Sequence, residues 1–183
     1  MSICLGQMFG VWKMYIILRV VVIKSIGIAE FSCAGTDTSS TSVERAMAEF
    51  LKNKEAMERV SEELDREINK NPIKESHVAQ LPYPNTCLKE TLKSRLVRFI
   101  AIHAIGRDPS TWEDPLSFKP ERFVGSSLDV KGHNFELLPF GSGRRVCPGL
   151  AMATRQLPLI LASLVHCFDW SLPNGEELRI LQS

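Results

Sequence analysis

The sequence predicts a mainly α-helical fold with little β-structure, and three observations carry that expectation. Val43, Ala46, Met47, Phe50 and Leu51 fall at helical spacing, as do Met57, Val60, Leu64 and Ile68. A third apolar run begins near Pro148 and extends to about Cys167. Each pattern lays one apolar stripe along one helix face. The 183 residues carry 22 Lys+Arg against 21 Asp+Glu, a formal charge of +1. That balance excludes an electrostatic nucleic-acid binder, which would show a strong basic excess. Hydrophobic residues make up 44% and charged residues 23%, as in an ordinary globular domain. The length suits one sizeable core. Cys4, Cys33, Cys87, Cys147 and Cys167 form no CxxC pair. An odd, scattered set speaks against a disulfide framework or a structural zinc site and points to a reducing compartment.

Residues 1–22 read as a lead-in. Lys13 and Arg19 interrupt its apolar runs, whereas a spanning helix needs about 20 predominantly apolar residues. No anchor is expected; Trp12, Tyr15, Ile16 and Leu18 are the residues that would touch a membrane surface. From Ile23 to about Leu51 one long helix is expected, with a polar interruption at Cys33–Thr41. Gly35 and the Ser, Thr and Asp residues there are poor helix material, so either the helix stops or something compensates for a local distortion. Asn53 can cap a second helix whose remaining charged positions form a solvated face. Asn71-Pro72 ends it, a short piece follows around Ser76–Leu81, and Pro84 with Asn85 opens a third helix. That helix turns Cys87, Leu88, Thr91 and Leu92 inward. Leu96–Ile105 is β-branched and apolar and reads as a strand. Gly106–Phe140 is rich in turn signals, a long connection of the kind that is usually functional or linker-like. The final helix, about Pro148 to Cys167, should kink at Pro158.

The segment with chemical content is Phe140-Gly141-Ser142-Gly143-Arg144-Arg145-Val146-Cys147-Pro148-Gly149. It sets a cysteine on a glycine-shaped loop just before a helix. Gly141, Gly143 and Gly149 permit positive φ and close approach of a flat ligand. A helix N-terminus with free N–H groups suits a thiolate. Arg145 adds positive charge for the thiolate and for a carboxylate on a cofactor, and Phe140 is placed to cover a ligand face. A lone cysteine before a helix is usually a small buried hydrophobe. Phe, Gly, Arg, Cys and Gly together at five fixed offsets should arise by chance on the order of once in 10⁵ chains of this length.

That pattern, F-x-x-G-x-R-x-C-x-G, resembles the haem-binding loop of the cytochrome P450 monooxygenases. Ala34-Gly35-Thr36-Asp37-Thr38 is similar to that family's distorted central helix, Pro120-Glu121-Arg122-Phe123 to its meander, and Lys89-Glu90-Thr91-Leu92 to its K-E-T-L-R helix. Gly106-Arg107-Asp108-Pro109 and Phe168-Asp169-Trp170 resemble the plant branch that makes specialised metabolites, such as geraniol hydroxylase among terpenoid and alkaloid hydroxylases. The resemblance implies the C-terminal part of the cytochrome P450 fold: residues 23–183 as a partial haem domain after the lead-in. It makes Cys147 the axial thiolate of haem b, pushing electron density to favour O–O cleavage, and pairs Arg145 with a haem propionate. Phe140, Gly143 and Gly149 complete the cofactor loop. Asp37 and Thr38 would relay protons to bound O2, although a threonine hydroxyl in a helix commonly just bonds back to the preceding turn. Glu90 and Arg122 would join an ion network beneath the loop.

The implied activity is insertion of one oxygen atom from O2 into a small apolar substrate. Electrons would come from NADPH through a cytochrome P450 reductase at the cytosolic face of the endoplasmic reticulum membrane. No nucleic-acid partner is implied. Two departures qualify this. Lys93 stands where the family has arginine, and lysine cannot supply a planar bidentate fork. Nothing before about Ile23 resembles the family, and the segment after Ser94 is shorter than in its members. A non-catalytic truncated remnant, binding haem weakly or not at all, is therefore the rival expectation.

Overall fold

The computed structural model describes residues 2–4, 26–69, 71–78, 80–93 and 104–171. Its elements are β1 (Ser2–Cys4), α1 (Ile26–Lys52), α2 (Lys54–Ile68), α3 (Glu75–Val78), α4 (Pro82–Lys93), α5 (Leu150–Cys167) and β2 (Asp169–Ser171), with 3-10 turns at Pro120–Phe123 and Gly143–Arg145. The mainly helical expectation holds. The β-structure described is one short parallel pair, with Ser2 opposite Asp169, Ile3 opposite Trp170 and Cys4 opposite Ser171.

α5 is the hub: α1, α2, α3 and α4 all pack against it. Val43, Ala46, Met47 and Phe50 of α1 meet Val60, Leu64 and Ile68 of α2, Cys87, Leu88 and Leu92 of α4, and Leu157, Leu161, Ala162 and Val165 of α5 in one core. Phe50 and Leu64 are almost wholly buried, each stabilising the fold by about 1.5–3 kcal/mol relative to an exposed position. α5 is, among the described residues, the one helix long and apolar enough to cross a membrane by length and composition. Its C-terminal part enters the core through Leu157, Leu161, Ala162 and Val165, and it contacts four helices.

Several local expectations change. α1 runs without a break through Cys33–Thr41. The hydroxyls that compete with the backbone are instead turned onto carbonyls one turn back: Thr38 to Ala34 at 2.8 Å, Thr41 to Asp37 at 2.8 Å and Ser42 to Thr38 at 2.7 Å. Asn53 occupies the cap position of α2 without a capping bond from its side chain. Its amide donates backward to Glu49 O at 2.9 Å. α2 ends earlier than expected, at Ile68, with Asn69 at φ 56°. α4 opens at Pro82 rather than Pro84. The α2 charges are not all solvated: Glu63 is buried and accepts the Tyr83 N–H on both carboxylate oxygens, at 3.2 and 3.3 Å. It thereby caps α4 from a neighbouring helix, a task its own helix periodicity cannot reveal. The expected Leu96–Ile105 strand lies mostly outside the described residues; its last two, Ala104 and Ile105, are helical. α5 continues through Pro158.

Candidate functional site: the Cys147 loop and its support

The cysteine loop is closed by its own backbone. Cys147 N–H donates to Phe140 O at 2.8 Å, Val146 N–H to Gly143 O at 3.2 Å, and Leu150 N–H to Cys147 O at 3.2 Å. Phe140 is buried in the main core and anchors the start of the loop. Gly141 and Gly143 have φ of 71° and 60°, conformations that favour glycine. Gly149 does not, at φ −83° as the N-cap of α5; a Cβ there would lie 3.7 Å from Cys147 Sγ, an ordinary contact. Cys147 is half-buried, and Gly143, Arg144, Arg145, Pro148 and Gly149 around it are exposed. A Cβ at Gly143 would meet nothing within 4 Å.

This donor set suits one kind of metal group. Among the described residues no three His, Cys, Asp or Glu side chains gather as a metal cage. A single half-buried thiol, set before a helix and flanked by small and cationic residues, fits a metal that brings its in-plane ligands with it and needs one axial donor, as haem does. Asp37 and Thr38, both exposed, lie on another element, α1.

Glu90, Lys93 and Arg122 are brought together. Lys93 Nζ lies 3.0 Å from Glu90 Oε1, with both side chains essentially inaccessible at 0% and 2%. Arg122 Nε lies 3.0 Å from Glu90 Oε2, but its N–H is spent on Lys119 O, and Oε2 accepts no hydrogen bond. Burial pushes the Glu90 carboxyl up, against Lys93 and Arg122, and pushes the Lys93 ammonium down, against Glu90. Lys93 also donates to Pro115 O at 3.1 Å and stands 5.2 Å above the Trp112 ring. Arg122 donates to Glu113 O at 2.8 Å, Asp114 O at 3.2 Å and Ser117 O at 3.3 Å, pinning that loop. Trp112, Phe123 and Leu137 form a second core, and Leu137 is three residues before Phe140. The ion cluster thus meets this second core at Trp112, and the backbone from Leu137 to Phe140 leads from it into the cysteine loop. Trp112 was missed in sequence because it sits in a turn-rich stretch with no periodicity.

Known proteins resemble this chain over most of its length. The family model for cytochrome P450 matches residues 25–98 and 97–183. Geranylhydroquinone 3''-hydroxylase of Arnebia euchroma is 44% identical over 174 residues, covering 81% of this chain and 35% of that protein. Berbamunine synthase of Berberis stolonifera is 43% identical, covering 77% and 34%. A zebra fish cytochrome P450, in a structure with progesterone, superposes with a TM-score of 0.75 at 30% identity, covering 84% of this chain and 41% of that one. The chain spans about a third of the length of these curated relatives. With the family model matching most of its length and a helical core that superposes on a solved member, the chain belongs to the cytochrome P450 family.

Proposed function

We propose that Cys147 supplies the axial thiolate to a haem iron and that the protein works as a haem-dependent monooxygenase on a small apolar plant metabolite such as a terpenoid or alkaloid. The observation that carries the reading is the half-buried Cys147, outside any cluster of three or more metal-binding side chains among the described residues, on a loop locked by its own amide to Phe140 O. Haem, when bound, supplies reductive activation of O2 and transfer of one oxygen atom to substrate, the other leaving as water. Cys147 Sγ holds the metal. The exposed Arg145 guanidinium pairs with a carboxylate of the group. Phe140, Gly143 and Gly149 shape the loop around it. Thr38 Oγ1, now donating to Ala34 O, turns outward to pass a proton, with Asp37 beside it as the source. Glu90, Lys93 and Arg122 hold the loop's foundation.

The names of the relatives support the substrate class: one hydroxylates geranylhydroquinone and another makes berbamunine. Electrons come from NADPH through a cytochrome P450 reductase, at the cytosolic face of the endoplasmic reticulum. The test is the carbon monoxide difference spectrum of the reduced, hemin-loaded chain. Cys147→Ser should lose the thiolate-type band, while Cys33→Ser, Cys87→Ser and Cys167→Ser retain it. A thiolate-type band that persists in Cys147→Ser would overturn the assignment.

A further inference from the structure

The cysteine loop rests on a second glycine-containing loop that contributes no chemistry of its own. Gly132 has φ +89°, and a Cβ built there would come 2.7 Å from Gly141 O, 3.1 Å from Ser142 Cα and 3.3 Å from Ser142 Cβ. Two backbones are therefore in direct contact, and the one touched is the turn that opens the loop to Cys147. The Gly132 segment is itself fixed. Asp129 N–H donates to Asn134 Oδ1 at 3.1 Å, and Lys131 N–H donates to Asp129 Oδ1 at 2.9 Å. On its other side Lys89, from α4, donates to Leu128 O at 2.7 Å. A rigid helix thus holds Leu128, a braced turn carries Gly132, and Gly132 sets the height of Gly141.

We propose that Gly132 is a positioning residue for Cys147: its missing side chain lets the braced turn seat the Gly141–Ser142 backbone and so fixes where the sulfur stands. The proposal rests on the reading of Cys147 as the iron ligand for its consequence, though not for its geometry. Nothing in the turn needs Gly132 to touch a ligand. A methyl group at this position must displace Gly141 O, a backbone atom that cannot swing aside as a side chain would. The displacement passes to Phe140 and, through the 2.8 Å bond that Cys147 N–H donates to Phe140 O, to Cys147.

Gly125 provides a matched control. Its φ is +70°, so alanine there meets the same left-handed backbone penalty, but a Cβ would meet nothing within 4 Å. Gly132→Ala and Gly125→Ala are made in the full chain and alkylated with iodoacetamide without hemin. Peptide mass spectrometry then follows Cys147, exposed Cys33 and buried Cys87. Gly132→Ala should change the Cys147 rate by about fivefold or more, the effect of roughly one kcal/mol on a local equilibrium. Gly125→Ala should leave it unchanged, and Cys33 and Cys87 should hold their rates in both. With hemin, Gly132→Ala should convert part of the thiolate-type carbon monoxide band to the neutral-thiol type. Equal Cys147 rates in the two variants would overturn the proposal. So would exposure of Cys87 in Gly132→Ala, because the contact would then support the whole core rather than the loop. If the unaltered chain gives no thiolate-type band, the iron-ligand reading fails, and the alkylation comparison still decides the role of Gly132.

Discussion

Removing both charges of the Glu90–Lys93 pair should cost no more than removing either one. At 3.0 Å two unit charges attract by about 5–6 kcal/mol if the effective dielectric is about 20. Taking each ion out of water costs several kcal/mol. The directions of both shifts say which effect wins: burial raises the Glu90 carboxyl and lowers the Lys93 ammonium despite their mutual attraction. The pair as a whole therefore adds little to stability, while one partner left alone is a buried charge without its counter-ion. Glu90→Gln and Lys93→Met should each cost about 3 kcal/mol, the low end of the 3–5 kcal/mol seen when a buried pair is broken. The low end applies because second partners remain. Lys93 keeps Pro115 O and the Trp112 face, and Glu90 keeps the Arg122 guanidinium. The double variant should cost no more than either single one, a coupling of about 3 kcal/mol. Urea unfolding of the four chains, followed by circular dichroism, gives the cycle. Costs that add to within about 0.5 kcal/mol would refute the reasoning.

Three further outcomes are expected. Burial pushes the Cys87 thiol well up, so iodoacetamide at mildly alkaline pH should label exposed Cys33 and Cys167 and spare Cys87, as read by peptide mass spectrometry. Burial likewise raises the Glu63 carboxyl. Its protonated form is favoured by folding, so its contribution is fully present below the unfolded carboxylate pKa of about 4.3 and is lost as pH rises through the folded value. Glu63→Gln should therefore gain stability over the unaltered chain between pH ~4 and pH ~7, and an equal difference in urea midpoint at both ends would show otherwise. Phe50→Ala should cost about 3–5 kcal/mol by urea unfolding, whereas Phe135→Ala should change stability by less than about 0.5 kcal/mol. Phe50 is 1% exposed and Phe135 is 71% exposed.

What the sequence made legible is what periodicity and short motifs encode. The stripes of α1 and α2 and the inward face of α4 place Phe50, Leu64, Cys87 and Leu92 in the core, as their spacing requires. Tertiary partners were not legible. Glu63 lies among charges that are solvated, and only the arrival of Tyr83 from the next helix separates it from them. Gly132 resembles every other glycine in a turn-rich stretch, and its constraint exists only once Gly141 is folded against it. The polar run Cys33–Thr41 left open a break or a compensated distortion, because propensity counts competing hydrogen bonds as losses. In the fold those hydroxyls bond the carbonyls one turn back, which leaves the helix ladder in place.

Lys93 joins these two kinds of information. Sequence reasoning expected lysine to weaken the network, because a point charge cannot match both oxygens of a carboxylate. The structure puts that weakness on one atom: Glu90 Oε1 has the ammonium, and Oε2 is left without a hydrogen bond although Arg122 Nε stands 3.0 Å away. It also supplies what sequence could not: the Pro115 carbonyl and the Trp112 face, which a compact three-donor ammonium can use together. Arg122, with carbonyls of Glu113, Asp114, Ser117 and Lys119 to satisfy its guanidinium, holds its loop without drawing on that oxygen. The support of the Cys147 loop thus draws on Arg122 for the shape of its own loop and for a second positive charge beside Glu90, and on Lys93 for the hydrogen-bonded charge at Oε1.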